Sequence, residues 1–131
     1  MAIRSYRQLE VWQRAIELAE EVYLTAQLPE SERYGLRTQL QRASVSIAAN
    51  IAEGYGRSHR GDYLRHLSIA RGSLMEVETH LTLAVRLKLV SRQVVMSSWK
   101  LSQQVGQMLT KLIASLQPDT RTPTPETRFS K

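Results

Sequence analysis

Three residues between positions 59 and 66 have the types and the spacing of a metal site or an acid–base pair. His59, Asp62 and His66 follow one another at steps of three and four residues, so neighbouring members share a face if this segment is helical. Imidazole nitrogens and carboxylate oxygens are zinc ligands, which makes a metal-dependent hydrolase one hypothesis. The favoured interpretation is an ordinary surface contact, with Asp62 placed near a helix N-terminus.

Glu53 is a second candidate general base. No partner carboxylate, nucleophile or oxyanion donor stands at a telling spacing beside it, and the sequence has no glycine-rich phosphate loop and no nucleophile elbow. The glycines at positions 54 and 56 are interpreted as a chain reversal at positive φ. The chain has no cysteine, which excludes disulfides and thiolate chemistry. We therefore predict a protein that is not an enzyme and that needs no metal or cofactor.

A further group of residues has the chemistry to bind a polyanion. The chain carries a net charge of +6, and contact between its cations and phosphate groups would release counterions. Residues 54–92 hold seven basic and three acidic side chains, a net charge of +4. The predicted nucleic-acid-binding residues are Arg57, Arg60, Arg65, Arg71, Lys88 and Arg92, with Tyr55 or Tyr63 available to stack a base. A solvated helix face with ordinary ion pairs is the alternative explanation.

Four amphipathic segments predict the helices that carry these residues. They run from about Gln8 to Ala26, from Glu30 or Ser31 to Glu53, from Gly61 to Leu87 and from Arg92 to Leu116. Their apolar residues recur at steps of three and four, the period of a helix with one buried face. The third stripe is the most regular: Tyr63, Leu67, Ala70, Leu74, Val77, Leu81 and Ala84. The first stripe is Leu9, Trp12, Ile16, Ala19, Tyr23 and Ala26, the second Leu36, Leu40, Ala43, Ile47 and Ile51, and the fourth Val95, Trp99, Val105, Met108, Leu109, Leu112, Ile113 and Leu116.

Local signals refine these helices. Ser5 and Gln8 predict a capping box before the first helix, and Ser91 predicts a cap for the fourth. Gly72 is unfavourable inside a helix by about 1 kcal/mol relative to Ala, so it predicts a tight helix contact. Small residues between 43 and 52 likewise predict close packing of the second helix against the third.

The second helix also carries a stripe of hydrogen-bonding side chains: Gln39, Arg42, Ser46, Asn50 and Glu53. Ser and Asn are poor helix formers that usually need tertiary partners in the middle of a helix. We predict that this stripe is a buried or half-buried contact, within the bundle or between subunits. Arg42 and Glu53 would lie about 16 Å apart along the axis, so each is expected to find its partner on another helix or chain.

These elements predict an all-α fold, an up-down-up-down four-helix bundle that spans residues 1–117. Residues 118–131 contain three prolines and four threonines and are predicted to be a flexible tail. The sequence shows no signal-peptide pattern and no apolar run of the ~18 residues that a membrane span requires. A cytoplasmic location is therefore expected.

Four motifs resemble the bacterial four helix bundle protein family, whose first known members are encoded in intervening sequences of large-subunit ribosomal RNA genes. They are YRQLEVW at 6–12, QLQRA at 39–43, NIAEG at 50–54 and LSIARGSLME at 67–76. Each motif is weak alone, but the combination is specific and covers about Tyr6 to Val90.

The resemblance implies a cytosolic bundle that assembles as a homopentameric ring. It also implies RNA as a ligand and a reverse transcriptase or an RNA-processing protein as a partner, because the related accessory protein of diversity-generating retroelements binds both RNA and a reverse transcriptase. No catalytic residue can be transferred from the family. The leading hypothesis is thus a non-enzymatic, oligomeric protein that binds nucleic acid. The alternative is a structural or scaffolding oligomer that binds another protein and no nucleic acid.

Overall fold

The computed structural model of the chain describes residues 3–24 and 35–117. Within these residues it contains four α-helices and no strand: α1 (Glu10–Leu24), α2 (Leu36–Tyr55), α3 (Arg60–Arg86) and α4 (Met96–Leu116). A short 3-10 helix, Tyr6–Gln8, precedes α1. The prediction of an all-α chain with four helices is confirmed. The predicted tail at 118–131, the final residues of the first segment and the predicted start of the second lie outside the described residues.

The four helices enclose one apolar core. α1 and α3 each contact both α2 and α4, and the most extensive contact joins α2 to α3. The predicted stripe of α3 is confirmed, because its residues from Leu67 to Ala84 are buried and Tyr63 is half-buried. The stripe of α2 is confirmed as well, with Leu40, Ala43, Ile47 and Ile51 buried.

The predicted stripe of α1 is wrong by part of a turn. Its buried residues are Val11, Ala15, Leu18 and Val22, whereas Trp12 and Ile16 are half-buried and Tyr23 is 50% exposed. The apolar residues of this helix cover a wide face, and the predicted stripe followed one edge of that face instead of its centre. In α4 the buried face includes the small polar residues Ser98 and Ser102, and Trp99 is only half-buried.

The predicted capping side chains accept backbone hydrogen bonds in the turns that precede α1 and α4, and not at the first residues of these helices. Ser5 Oγ accepts a hydrogen bond from Arg7 N, and Gln8 Oε1 accepts one from Arg4 N. These bonds fix the 3-10 turn, and α1 begins two residues after Gln8. Ser91 Oγ accepts from Val94 N at 3.2 Å, so it closes the turn before α4, whose N-cap residue is Val95.

The C-terminus of α3 ends in a left-handed turn at Lys88, whose φ is 61°. The Leu89 N–H donates to Ala84 O and the Lys88 N–H donates to Val85 O, both at 2.9 Å. This pair of bonds is the Schellman motif, which satisfies the last carbonyls of a helix. Lys88 therefore holds a backbone role at a position that usually favours glycine.

No helix among the described residues is long and apolar enough to cross a membrane.

Candidate nucleic-acid interface

Three of the predicted RNA-binding arginines surround the turn between α2 and α3. Arg57, Arg60 and Arg65 are all exposed. Arg57 forms an ion pair with Glu53 at 2.8 Å, but both side chains are about half exposed, so the pair contributes little stability and leaves the arginine accessible. Arg60 and Arg65 belong to the first turns of α3, which fixes their positions relative to the turn.

Gly54 allows α2 and the start of α3 to pack closely at this turn. Gly54 is buried, and a Cβ atom built on it would lie 2.7 Å from His66 Cβ and 3.1 Å from Tyr63 Cδ1. Only a residue without a side chain allows α2 and the start of α3 to approach this closely. The expectation of positive φ at this turn is wrong, because no described glycine has positive φ. Gly54 is needed for close approach and not for its backbone freedom.

Gly72 shows the opposite outcome. It is exposed, and a Cβ atom built on it would meet nothing within 4 Å. The tight helix contact predicted at Gly72 is therefore absent from the described part of the chain. The close packing predicted between α2 and α3 exists, but Gly54 provides its closest point.

The other predicted cations lie elsewhere. Lys88 and Arg92 are exposed near the C-terminus of α3, and the 26 steps from Arg60 to Arg86 span about 39 Å of helix axis. Arg71 lines a shallow groove between α3 and α4 together with Lys111 and Glu78. The six predicted residues therefore do not form one patch. They divide into the α2–α3 turn, the α3–α4 groove and the opposite end of α3.

Tyr55 and Tyr63, the two rings available to stack a base, contact each other edge to face. Their ring centroids are 6.0 Å apart with an interplanar angle of 87°. The Tyr55 hydroxyl donates to Ile3 O at 3.1 Å. Burial, and secondarily the neighbouring Tyr55, raises the pKa of Tyr63, so its hydroxyl stays neutral at physiological pH. These contacts give both rings a structural role at the base of α3, and stacking of a nucleobase on either ring stays a prediction.

The polar stripe of α2 divides into buried and exposed members. Ser46 and Asn50 are half-buried, whereas Gln39, Arg42 and Glu53 are exposed. Asn50 Nδ2 donates to Ser46 O at 2.9 Å and to Ser46 Oγ at 3.1 Å. The predicted contact is thus confirmed for Ser46 and Asn50. Within the described part of the chain Glu53 pairs with Arg57 one turn away, and its predicted contact with another subunit stays a prediction.

The partners of Ser46 and Asn50 are two buried residues of α3. Ser73 Oγ donates to Ser46 Oγ at 2.8 Å, and His66 Nδ1 lies 3.0 Å from Asn50 Oδ1. Because the Asn50 amide oxygen can only accept, His66 Nδ1 carries a proton. We call these four residues the α2–α3 polar network. Ser73 was not among the predicted contact residues, and His66 was predicted in a different cluster, although the spacing of seven residues between them places both on one face of α3.

The histidine–aspartate cluster is not assembled. His66 is 6% exposed and is hydrogen-bonded to Asn50, while His59 and Asp62 are exposed. Among the described residues, no three histidine, aspartate or glutamate side chains lie together as metal ligands could. The arrangement therefore gives the metal-dependent hydrolase hypothesis no site.

A cavity of about 270 Å³, which no sequence pattern predicted, lies between the C-terminal part of α3 and the start of α4. Its lining is Leu81, Thr82, Val85, Arg86, Arg92, Val95, Met96 and Trp99, and we call it the Trp99 pocket. Trp99 was assigned to a core stripe, and its half-burial could not be read from helical periodicity. The only signal in the sequence was the presence of two arginines within 13 positions of this tryptophan.

The chain is similar to known proteins in sequence and in fold. Residues 7–111 match the family model described as 23S rRNA-intervening sequence protein. One solved structure, a protein of unknown function from the S23 ribosomal protein family of Bacteroides thetaiotaomicron VPI-5482, is 28% identical, with a TM-score of 0.72. The alignment covers 79% of this chain and 97% of that one. No curated protein matches the chain. Because the family model covers most of the sequence, the chain belongs to the 23S rRNA-intervening sequence protein family.

Proposed function

We propose that this protein is a non-enzymatic, cytoplasmic, homo-oligomeric four-helix bundle that binds structured RNA through its basic surface. The observation that carries the proposal is the exposed group Arg57, Arg60 and Arg65 around the closely packed α2–α3 turn. A fixed turn presents guanidinium groups to phosphates with little loss of backbone freedom on binding. The link of the family to ribosomal RNA genes supports RNA over other polyanions.

The proposed bundle has up-down-up-down topology and forms a pentameric ring. The contacts of Asn50 with His66 and of Ser46 with Ser73 support this topology. The earlier residue of α2 contacts the later residue of α3, so these two helices are antiparallel. Exposed apolar residues on α3 and at its C-cap, among them Met75, Leu83 and Leu87, offer surface for subunit contacts. A ring would repeat the basic turn around one face and multiply its contacts with an RNA. A reverse transcriptase or an RNA-processing protein is the proposed partner.

Charge reversal at the turn tests the RNA-binding proposal. Replacing Arg60 and Arg65 by Glu is expected to weaken binding of an RNA hairpin at low salt by about tenfold or more, since each contact with phosphate releases counterions. Filter binding or fluorescence anisotropy measures the change. The matched control replaces Lys100 and Lys111, two exposed cations of α4 outside the turn, by Glu. Equal weakening by both pairs would show that net charge, and not the turn, determines binding.

Sedimentation equilibrium tests the ring. The expected mass is about five times that of the 15.0 kDa chain, consistent with closed cyclic symmetry. A mass of one chain at tens of micromolar would contradict the ring and the multivalent binding that depends on it.

The same apolar residues of α3 support a second candidate function, a scaffold that binds another protein. Met75, Leu83 and Leu87 line a shallow groove that also contains Trp99. A scaffold is expected to show no salt-dependent RNA binding. If the wild-type protein retains no structured RNA at low salt, the scaffold becomes the better explanation of the fold.

A further inference from the structure

The Trp99 pocket combines an apolar interior with a cationic rim. Leu81 and Val95 are buried at its base, and Val85, Met96 and Trp99 are half-buried in its wall. Arg86 and Arg92 are exposed and come from two different elements, the last turn of α3 and the segment before α4. The ligand that matches this lining has an apolar or aromatic body joined to an anionic group.

The size of the pocket restricts that ligand. A cavity of about 270 Å³ lies just below the ~300–1,000 Å³ typical of small-molecule sites. It has room for one ring system and not for a stretch of oligonucleotide. Trp99, Thr82 and Arg86 also line the adjacent groove along α3, so the tryptophan is reached from both cavities. A chain could therefore lie in the groove while one of its groups enters the pocket.

Among the described aromatic side chains, Trp99 is one that lines a pocket together with arginines. Tyr55 and Tyr63 contact each other, and Trp12 contacts Tyr6 at 5.2 Å between ring centroids. Stacking of a base on an aromatic ring, with a nearby arginine on the phosphate, is a general mode of binding single-stranded nucleic acid. The lining of the pocket provides both groups.

We propose that the Trp99 pocket takes the base of one unpaired nucleotide, stacked against Trp99, while Arg86 and Arg92 contact its phosphate. This inference rests on the proposed RNA-binding function and names a second contact, at the end of α3 opposite the α2–α3 turn. The Thr82 hydroxyl already donates to Glu78 O at 2.8 Å, and the remaining wall is largely apolar. The Thr82 hydroxyl can therefore only accept a hydrogen bond from a base, so the pocket binds mainly the face of a base and has little base preference.

The experiment compares an RNA hairpin that has a single-stranded extension with the same hairpin carrying abasic positions in the extension. Removing the bases is expected to weaken binding to the wild-type protein by about fivefold, through lost stacking. The same removal should have no effect on Trp99→Leu and a reduced effect on Trp99→Phe. Arg86→Gln with Arg92→Gln should weaken binding of both RNAs. Trp12→Phe is the matched control and should retain the full dependence on bases.

A second measurement separates this inference from the proposed function. Adenosine monophosphate is titrated into the labelled protein, and the Trp99 indole N–H resonance, identified by its loss in Trp99→Phe, is followed by NMR. A saturable shift that is lost in the double arginine variant supports the pocket even if no hairpin binds, in which case the proposed RNA-binding function alone fails. Hairpin binding that is independent of the bases, with no shift from the nucleotide, overturns the pocket and leaves the RNA function intact. A shift with octanoate and none with the nucleotide also overturns it, because the occupant is then aliphatic.

Discussion

Replacement of Asn50 by Leu is expected to lower the free energy of unfolding by about 2 kcal/mol, because it leaves a buried donor without its acceptor. Asn50 Oδ1 accepts from His66 Nδ1 at 3.0 Å, and Asn50 Nδ2 donates to Ser46. His66 is 6% exposed, so water cannot fully replace the lost bond. Urea denaturation followed by circular dichroism measures the change.

Two further variants identify the cause of that loss. Gln39→Leu lies on the same stripe but on the exposed surface, and it is expected to change stability by less than about 0.5 kcal/mol. The double variant Asn50→Leu with His66→Leu removes both partners, so it should be more stable than the sum of the two single changes predicts. Strict additivity would show that Asn50 and His66 do not interact in the folded protein. An Asn50→Leu protein with unchanged stability that no longer binds RNA would make Asn50 a ligand-binding residue and not a member of the α2–α3 polar network.

Periodicity predicted the helices of this protein best where a single narrow stripe enters the core. In α3 the predicted stripe from Leu67 to Ala84 follows steps of three and four, and each residue of that stripe is buried. In α1 the apolar residues cover a broader face, so several stripes of equal quality can be drawn through them. Which one is central depends on where α2 and α4 lie, and that is a property of packing and not of the helix alone.

The helix ends were less predictable for a related reason. Ser5, Gln8 and Ser91 do accept backbone hydrogen bonds, as their types suggest. They close a 3-10 turn and a loop turn, however, because side-chain capping stabilises any run of free N–H groups and does not specify an α-helix. Lys88 illustrates the converse case. A lysine is not a residue type that predicts a left-handed backbone conformation. The hydrogen bonds of the Leu89 and Lys88 N–H groups to α3 nevertheless stabilise Lys88 in that conformation.

The sequence predicted which residue types belong to the candidate site, but it did not predict where the fold places them. Counting charges identified an arginine-rich region, but the length of α3 separates Arg60 from Arg92 by most of the bundle. The Ser46 and Asn50 contact was anticipated from their poor fit to a helix interior. Their partners His66 and Ser73 depend on the register between α2 and α3, which no local pattern encodes. Trp99 was counted as core because periodicity identifies a face and does not show how deeply a large ring is covered.

Gly54 lies where α2 and α3 approach each other closely, and Gly54→Ala is expected to destabilise the fold by about 2 kcal/mol. The added Cβ would lie 2.7 Å from His66 Cβ and 3.3 Å from Tyr63 O. Neither atom is the free end of a flexible side chain, so α3 must move, and overpacking of this kind typically costs about 1–3 kcal/mol. The movement would also lengthen the His66 bond to Asn50.

Gly72→Ala is the matched control, since it makes the same chemical change in a neighbouring helix and has the opposite expected sign. Gly72 lies inside α3, is exposed, and would place its new Cβ in open space. Alanine favours the helix over glycine by about 0.5–1 kcal/mol in the absence of steric conflict, so Gly72→Ala should raise stability. Thermal unfolding of the two variants and the wild type measures both changes in stability. If Gly54→Ala were also stabilising, the close approach of α2 and α3 at the basic turn would be wrong. If Gly72→Ala were strongly destabilising, Gly72 would face a tight contact in the assembled ring.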